Sequence, residues 1–519
     1  MSEDDAERNN NKDPEAKINA AIKSRTVDAQ ETRGRCKRNC GLSTLVILIF
    51  FNIICGIFLL RVSLYEILMA DRMLMRPGMP AYEFWKNPEP EVIVKMHVFN
   101  ITNAEDFLAE RDSKIKLAEV GPVVYQEILK HTDVVFNENS TLSYKATKTL
   151  VYREDLNEPG ILNETIIVPN MATLGIASYL NDAGYFVNLA AKSLMYKYDE
   201  EPLRKMTVYD YLWNYKSDVL STAKIFGGSV LVPVENMGVL YNIYKNWSDH
   251  LNVKMGPKYP SSEFFHLLSY NYRTTVPGFK LEHGDCNATI LEATEGAIYP
   301  QRLTKNSTLF YWRKTLCRPA TLFFEEEVQK GPLLGYKYVL RNDVYDHPDD
   351  KEDCYRGKNL PDGLSDLQKC FHNFPVAASK PHFYGRNGSW MEKLSGLSPK
   401  RELHDSYVIV EPQMGTPIDQ VARSQSNLII KQLSVAYPLK MRLFSDTILP
   451  MFWVEIHQPD LTPLIKNVIN FTINILPKYE GFLGPICLVS ALVFTIILIK
   501  CVKSDKNSGK KIKLKKGSI

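Results

Sequence analysis

The sequence lacks the short signatures of catalysis. It holds no HExxH, no GxSxG and no glycine-rich loop ending in Lys-Ser/Thr, so zinc peptidase, nucleophile-elbow hydrolase and P-loop chemistry have no foothold. Its ten histidines are scattered, no two within four residues of one another. His382, in Lys380-Pro-His-Phe, therefore reads as a structural hydrogen-bonding residue and not as a base. The acidic run at 343–353 (DVYDHPDDKED) lacks the glycine and terminal glutamate placement of an EF-hand loop and reads as a solvated loop. The chain is expected to be a non-enzyme without a cofactor.

A basic folded region is missing as well. Of a formal charge of +4, the tail from residue 500 carries +7 and residues 1–41 carry +1, so the middle of the chain is acidic. Nucleic acid, which would need a basic face on a folded domain, is not an expected partner. Basic tails beside anionic lipid fit better.

What the sequence does have is two uncharged apolar runs of 19 residues, at 42–60 (LSTLVILIFFNIICGIFLL) and 481–499 (GFLGPICLVSALVFTIILI). At 1.5 Å per helical residue each spans roughly 28 Å, close to the hydrocarbon thickness of a bilayer. Lys23, Arg25, Arg33, Arg35, Lys37 and Arg38 precede the first run, and Lys500, Lys503, Lys506, Lys510 and Lys511 follow the second. Positive flanks predict cytoplasmic sides. The expected organisation is a cytoplasmic tail (1–41), a span (42–60), an outer domain (61–480), a second span (481–499) and a basic cytoplasmic tail (500–519).

Eight Asn-x-Ser/Thr sequons fall in the middle segment, at Asn100, Asn139, Asn163, Asn246, Asn287, Asn306, Asn387 and Asn470, and none in the tails. They predict an outside, glycosylated domain. Four of the nine cysteines, Cys286, Cys317, Cys354 and Cys370, share that compartment, and four cysteines allow three pairings. Cys36, Cys40 and Cys501 sit on the cytoplasmic side near the membrane and are candidate acylation sites.

Within residues 61–480 there is no repeat, low-complexity stretch or long Gly/Ser linker. Residues 91–99, 122–129, 142–153, 336–340, 407–411 and 427–433 are short, rich in Val, Ile, Tyr and Thr, and bounded by turn formers, so they read as strands. Helical periodicity runs from Met171 to Tyr198, with Asp182-Ala-Gly suggesting a turn between two helices. Residues 462–477 form another candidate helix, with Leu464, Val468, Phe471 and Ile475 on one stripe. The fold class is α+β, mostly antiparallel sheet with a helical cluster. Beside Phe186 and Leu189 on the second helix lie Lys192 and Lys197, with Arg204 and Lys205 close behind. Such charges are either solvated or suited to a ligand with a carboxylate head and a hydrocarbon tail.

The chain resembles the class B scavenger receptor family from about Trp85 to the second span. The resemblance rests on Phe99-Asn-Ile-Thr-Asn103, Glu119-Val-Gly-Pro122, Asp285-Cys286-Asn287, Glu295-Gly296, Cys317-Arg318, Ser379-Lys-Pro-His-Phe383, Glu411-Pro412 and Arg423-Ser-Gln-Ser-Asn427, in this order between two spans. It implies an antiparallel β-barrel-like core with an apical helical bundle and an apolar tunnel, and bridges Cys286–Cys354 and Cys317–Cys370. It also supports the ligand-binding reading of Phe186, Leu189, Lys192 and Lys197, since a family member has a lysine implicated in fatty-acid contact at the position of Lys197. Arg356 stands where six-cysteine members have a further cysteine, and the long N-terminal tail leans toward an insect-type member.

The implied function is a cell-surface receptor or transporter that captures lipid at its apex and passes it through a tunnel to the membrane. Expected partners are fatty acids, carotenoids, sterols or phospholipids, or lipoproteins, and a homo-oligomer is compatible with the sequence. Both termini would be cytoplasmic at the plasma membrane, with endosomal or lysosomal membrane as the other location. Two competing classes share this topology: a trafficking or adhesion receptor for a protein partner, and a two-span ligand-gated channel.

Overall fold

The computed structural model describes residues 41–88, 91–181, 184–231, 234–279, 288–347, 354–357, 360–435 and 437–516. Two compact units result, one drawn from the two chain ends (to residue 68 and from 471) and one from residues 69–470.

Along the chain, α1 (Gly41–Arg61) is followed by α2 (Leu64–Arg72) and α3 (Pro80–Lys86). Then come β1 (Val92–Ile101), α4 (Ala104–Leu108), β2 (Ile115–Asn137), β3 (Thr141–Tyr152) and β4 (Thr165–Pro169). A helical stretch follows: α5 (Met171–Leu180), α6 (Tyr185–Lys197), β5 (Leu203–Thr207), α7 (Val208–Trp213), α8 (Asp218–Leu231) and α9 (Val239–Tyr244). The chain returns to strand with β6 (Ser248–Lys254), β7 (Leu267–Tyr270), β8 (Thr308–Arg313), β9 (Arg318–Lys330) and β10 (Leu333–Val339). Next are β11 (Ser365–Asp366), β12 (Val376–Ser379), β13 (Leu394–Ser395), α10 (Arg401–His404), β14 (Tyr407–Glu411) and β15 (Thr416–Ile430). The chain closes with α11 (Leu439–Arg442), β16 (Thr447–Gln458), α12 (Pro463–Asn470) and α13 (Leu476–Lys516).

The unit of the chain ends holds α1 and the part beyond residue 470 of the helical run Pro463–Lys503; both helices are long and apolar enough to cross a membrane. Apolar side chains such as Phe51 and Ile54 of α1 and Phe482 and Ile486 of α13 point outward, as lipid-facing residues do. The two helices touch through glycine. A Cβ on Gly56 would lie 3.1 Å from the Gly484 carbonyl, and one on Gly484 would lie 3.1 Å from the Gly56 carbonyl, so the two glycines let the backbones approach closely. Ser63 Oγ donates to Glu480 Oε1 at 2.8 Å, and the Tyr65 amide donates to Glu480 Oε2 at 3.0 Å.

The unit of residues 69–470 is built on one sheet of fourteen strands, whose main path runs β7-β6-β3-β2-β1-β16-β15-β14-β10-β9-β8. Its pairings are antiparallel apart from β13 on β2. Register places Val94 opposite Ile456, and Met96 opposite Val454, which in turn faces Ser424. Side chains alternate across a strand, so these residues share one face and their neighbours share the other. On the second face Glu455 bridges Lys95 and Arg423, each at 2.7 Å, and His97 stacks on Trp453 at 3.8 Å. The sheet curls until its edge strands meet: Tyr270 of β7 and Trp312 of β8 lie edge to face at 5.2 Å.

The helical pair read between Met171 and Tyr198 is present as α5 and α6. The strand read at 427–433 is the end of a longer one that starts at Thr416; polar residues from Asp419 to Ser426 hide its earlier part. The stripe read in residues 462–477 lies on the outward side of its helix, which runs on into the second apolar run. Leu464, Phe471 and Ile475 are exposed, whereas Ile465 and Ile469 face inward. This segment carries apolar residues on more than one side, so periodicity alone could not select the packed face.

Candidate functional site

Between the helices and the first face of the sheet lies a cavity of about 1040 Å³. Each wall follows from its local sequence. α5 (MATLGIASYL) has no charged residue and is buried for most of its length, as expected of a helix packed on all sides. Gly175 sits where a Cβ would fall 2.4 Å from the Phe374 ring, so glycine lets α5 settle against that wall. α6 is two-sided, and its cavity face is Phe186, Val187, Ala190, Ala191 and Leu194, spaced as one stripe of a helix. The sheet supplies Val94, Met96, Phe452, Val454 and Ile456.

One end of this cavity is polar. Arg313, Lys314, Asp249 and Asn271 line it, together with Tyr244 and Lys245. Arg313 is buried and donates through Nη2 to Glu127 Oε2 at 2.7 Å and to the Tyr244 hydroxyl at 3.0 Å. Lys148 Nζ reaches the other oxygen of Glu127 at 3.1 Å. Burial opposes the charge on Glu127, but Arg313 and Lys148 hold its carboxyl well below the usual range. Lys314 Nζ lies 3.2 Å from Asp249 Oδ2, and Asn271 Nδ2 donates to Asp249 Oδ1 at 3.0 Å. The indole of Trp247 is ringed by Lys314 (4.0 Å), Arg313 (5.1 Å) and Lys148 (5.2 Å).

The residues singled out from sequence distribute unevenly. Phe186 lines the cavity and is 82% exposed, which places it at an opening. Leu189, Lys192 and Lys197 are not part of the lining. Leu189 is half-exposed, the Lys192 ammonium sits 4.6 Å over the Tyr437 ring, and that of Lys197 sits 5.1 Å over Tyr198. The polar end was not legible beforehand, because its residues come from α9, β6, β8 and the turn after β7.

Cys317 and Cys370 form a disulfide, and Cys354 is also disulfide-bonded; Cys286 lies outside the described residues. Cys36 and Cys40 lie outside the described residues, and Cys501 is free and exposed. Asn139, Asn163, Asn246, Asn306 and Asn387 are exposed, Asn100 and Asn470 are partly buried, and Asn287 is outside the described residues. Of the acidic run, Asp343 pairs with Arg341 and Asp346 with Arg386, while residues 348–353 are not described.

One further cluster has the composition of a metal centre. Glu119, His382 and His404 bring ligand atoms within 4.8 Å of one another. Their hydrogen bonds argue against that use. The Ser398 amide donates to His382 Nδ1 at 3.0 Å and the Lys400 amide donates to His404 Nδ1 at 2.9 Å. Each neutral ring therefore carries its proton on Nε2, the nitrogen a metal would need. The outcome is a carboxylate ringed by donors: His382 Nε2–H and Trp453 Nε1–H (2.6 Å) both point to Glu119 Oε1. Burial works against its charge, yet His382, His97 and Trp453 keep Glu119 well below the usual carboxylate range. His382 has the structural role read from sequence.

Comparison with known proteins places this architecture. Residues 43–502 match the model of the CD36 family. Lysosome membrane protein 2 of Rattus norvegicus is 25% identical over 368 residues, covering 70% of this chain and 74% of that protein. Sensory neuron membrane protein 1 of Anopheles gambiae is 24% identical over 457 residues (81% and 78%). Scavenger receptor class B member 1 of Sus scrofa is 21% identical over 382 residues (73% and 72%). Insect and vertebrate relatives match at similar identity, so identity does not assign the chain to an insect type. With its two apolar end helices and a sheet-rich domain between them, the chain is a membrane protein that belongs to the CD36 family, the class B scavenger receptors.

Proposed function

We propose that the protein is a receptor or transporter for long-chain lipid that works without catalysis. The observation that supports this reading is the cavity, about 1040 Å³, walled by apolar side chains of both the helices and the sheet. Hydrocarbon moved into it leaves water at a gain of about 0.8 kcal/mol per methylene, so transfer needs no energy source. In this reading the curled sheet is a barrel, α5, α6, α8 and α9 cap its membrane-distal end, and the cavity is part of a tunnel toward the bilayer. Fatty acids, carotenoids, sterols or phospholipids, free or in lipoproteins, enter beside Phe186. Leu189, Lys192 and Lys197 act on encounter at the surface.

The same reading puts residues 61–480 outside and both tails in the cytoplasm, with Cys286 bonded to Cys354, and Cys36, Cys40 and Cys501 available for acylation. The five exposed sequon asparagines are compatible with glycans. The plasma membrane is the favoured location; a relative named for the lysosome membrane keeps endosomal and lysosomal membrane as the other. Against a two-span channel, Asn52 Nδ2 and Thr495 Oγ1 bond to carbonyls four residues back on their own helices, which occupies polar groups a pore would need. A protein-binding apex is a second reading, supported by the exposed Phe186 (82%) and Tyr196 (64%) on α6.

Uptake of labelled lipid by cells displaying the mature, glycosylated chain tests the proposal. Val454→Trp or Ala190→Trp, which fill the cavity, should lower uptake well below that of the parent at equal surface level. Equal uptake by the filled variants would count against a cavity route and favour surface capture.

A further inference from the structure

The polar end of the cavity lies on the seam where the curled sheet brings its edges together. Asp249 belongs to β6, Arg313 ends β8 and Lys314 follows it, so the group exists only when the sheet has closed. Its charges do not cancel. Of the charged side chains that line the cavity, Lys245, Arg313 and Lys314 are cations and Asp249 is an anion; behind them Arg313 and Lys148 pair with Glu127, and Lys148 also acts on the buried Glu295. Among the described residues, Arg313 Nε is buried without a hydrogen-bond partner while its residue lines the cavity. A buried guanidinium with a donor left over favours an acceptor. Burial, together with the charges of Lys148 and Arg313 and against the pull of Asp249, lowers Lys314 from the ordinary lysine value; an added anion would relieve that repulsion.

We propose that this end of the cavity, built on Arg313 and Lys314, seats the anionic head of a long-chain amphiphile. The inference rests on the lipid-binding reading above and names its chemistry: one negatively charged head, carboxylate or phosphate, and an alkyl chain laid along Met96, Phe452, Val454 and Ile456. Lys314 is partly exposed, so it meets the head, while the buried Arg313 supplies the second contact. Asp249 competes with the ligand for Lys314. The lysines of α6 lie outside the lining and set the rate of encounter, not the preference at equilibrium.

The test uses the full-length glycosylated protein, stripped of lipid and held in nanodiscs, with palmitate, hexadecyl phosphate and hexadecanol competing for a fluorescent long-chain probe. Lys314→Met removes a charge-assisted hydrogen bond, so it should weaken both anions by about tenfold or more and leave hexadecanol within about twofold. Lys314→Arg should retain the preference. Asp249→Asn should tighten the anions several-fold, a gain that misfolding cannot produce. Relative affinities of palmitate and hexadecyl phosphate separate a fatty acid from a lysophospholipid-like ligand. If Lys314→Met and Asp249→Asn keep parental affinities for all three while Val454→Trp loses them, the head-group placement is wrong and the cavity reading stands. A loss of anion preference in Lys197→Met but not in Lys314→Met would also overturn it. If the parent binds none of the three, the lipid reading fails and this inference with it.

Discussion

Cys317 and Cys370 are joined beside the polar end of the cavity: Cys317 closes the turn that follows Arg313, and Cys370 lines the cavity with Leu367 and Phe371. The bond therefore fixes the spacing of the polar end and closes 53 residues of sequence. In the chain-entropy model such a loop is worth about 4 kcal/mol. Cys370→Ser should lower the thermal midpoint and increase the share of immature, endoglycosidase-sensitive protein. Unchanged melting and maturation would show that packing alone holds this end of the cavity.

Glu127 and Arg313 form a buried pair, and removing one partner of such a pair typically costs about 3–5 kcal/mol. Arg313→Met or Glu127→Gln should thus destabilise the domain strongly in thermal unfolding. The exposed pair Lys305–Glu327 provides the contrast, since exposed ion pairs contribute about 0–1 kcal/mol. Similar small effects from both pairs would mean that water reaches Glu127.

The histidine cluster predicts the acid response. Burial, then the neighbouring His382, lowers His404 to about 4, so it stays neutral in the fold while the unfolded chain takes up a proton below about 6.5. The unfolded state binds more protons in that window, and stability should fall from pH 6.5 toward 4 by up to about 1.4 kcal/mol per unit from this residue. Glu119 and Glu127, held low, add their loss only below about pH 4.3. His404→Gln should flatten the upper part of the profile while its side-chain oxygen still accepts from the Lys400 amide. Zinc should not raise the thermal midpoint, because Nε2 of both rings carries a proton; a zinc-dependent rise would show that the cluster rearranges into a metal site.

Gly56 and Gly484 set the contact between the membrane helices. Leu60→Cys with Gly484→Cys should form a disulfide on mild oxidation, because Leu60 lies beside the position of a Gly484 Cβ. Adding Gly56→Leu should suppress that bond by forcing the backbones apart. A bond that forms equally well in the triple variant would indicate another crossing point.

Much of the architecture was legible in the sequence, for physical reasons that also mark where reading stopped. The strand at 407–411 and the two helices after Met171 announce themselves through local periodicity. The earlier part of β15 does not, because it carries the polar Asp419, Gln420 and Arg423, which find partners on other elements, including Lys330, Gln458 and Glu455. The candidate site divides in the same way. Phe186 and the α6 lysines were visible as neighbours on one helix, and only Phe186 lines the cavity. Arg313 and Lys314 carried no local signal; it takes the curl of the sheet to bring them to Glu127, Tyr244 and Asp249.

The central claim is that the cavity holds lipid, and the most direct measurement is the lipid that accompanies the purified protein. The full-length glycosylated chain, purified from cells and extracted, should release long-chain lipid in roughly stoichiometric amount by mass spectrometry. Val454→Trp, purified in the same way and equally mature in its glycans, should release far less. A parent protein free of specific lipid, or a filled variant carrying as much as the parent, would contradict the account.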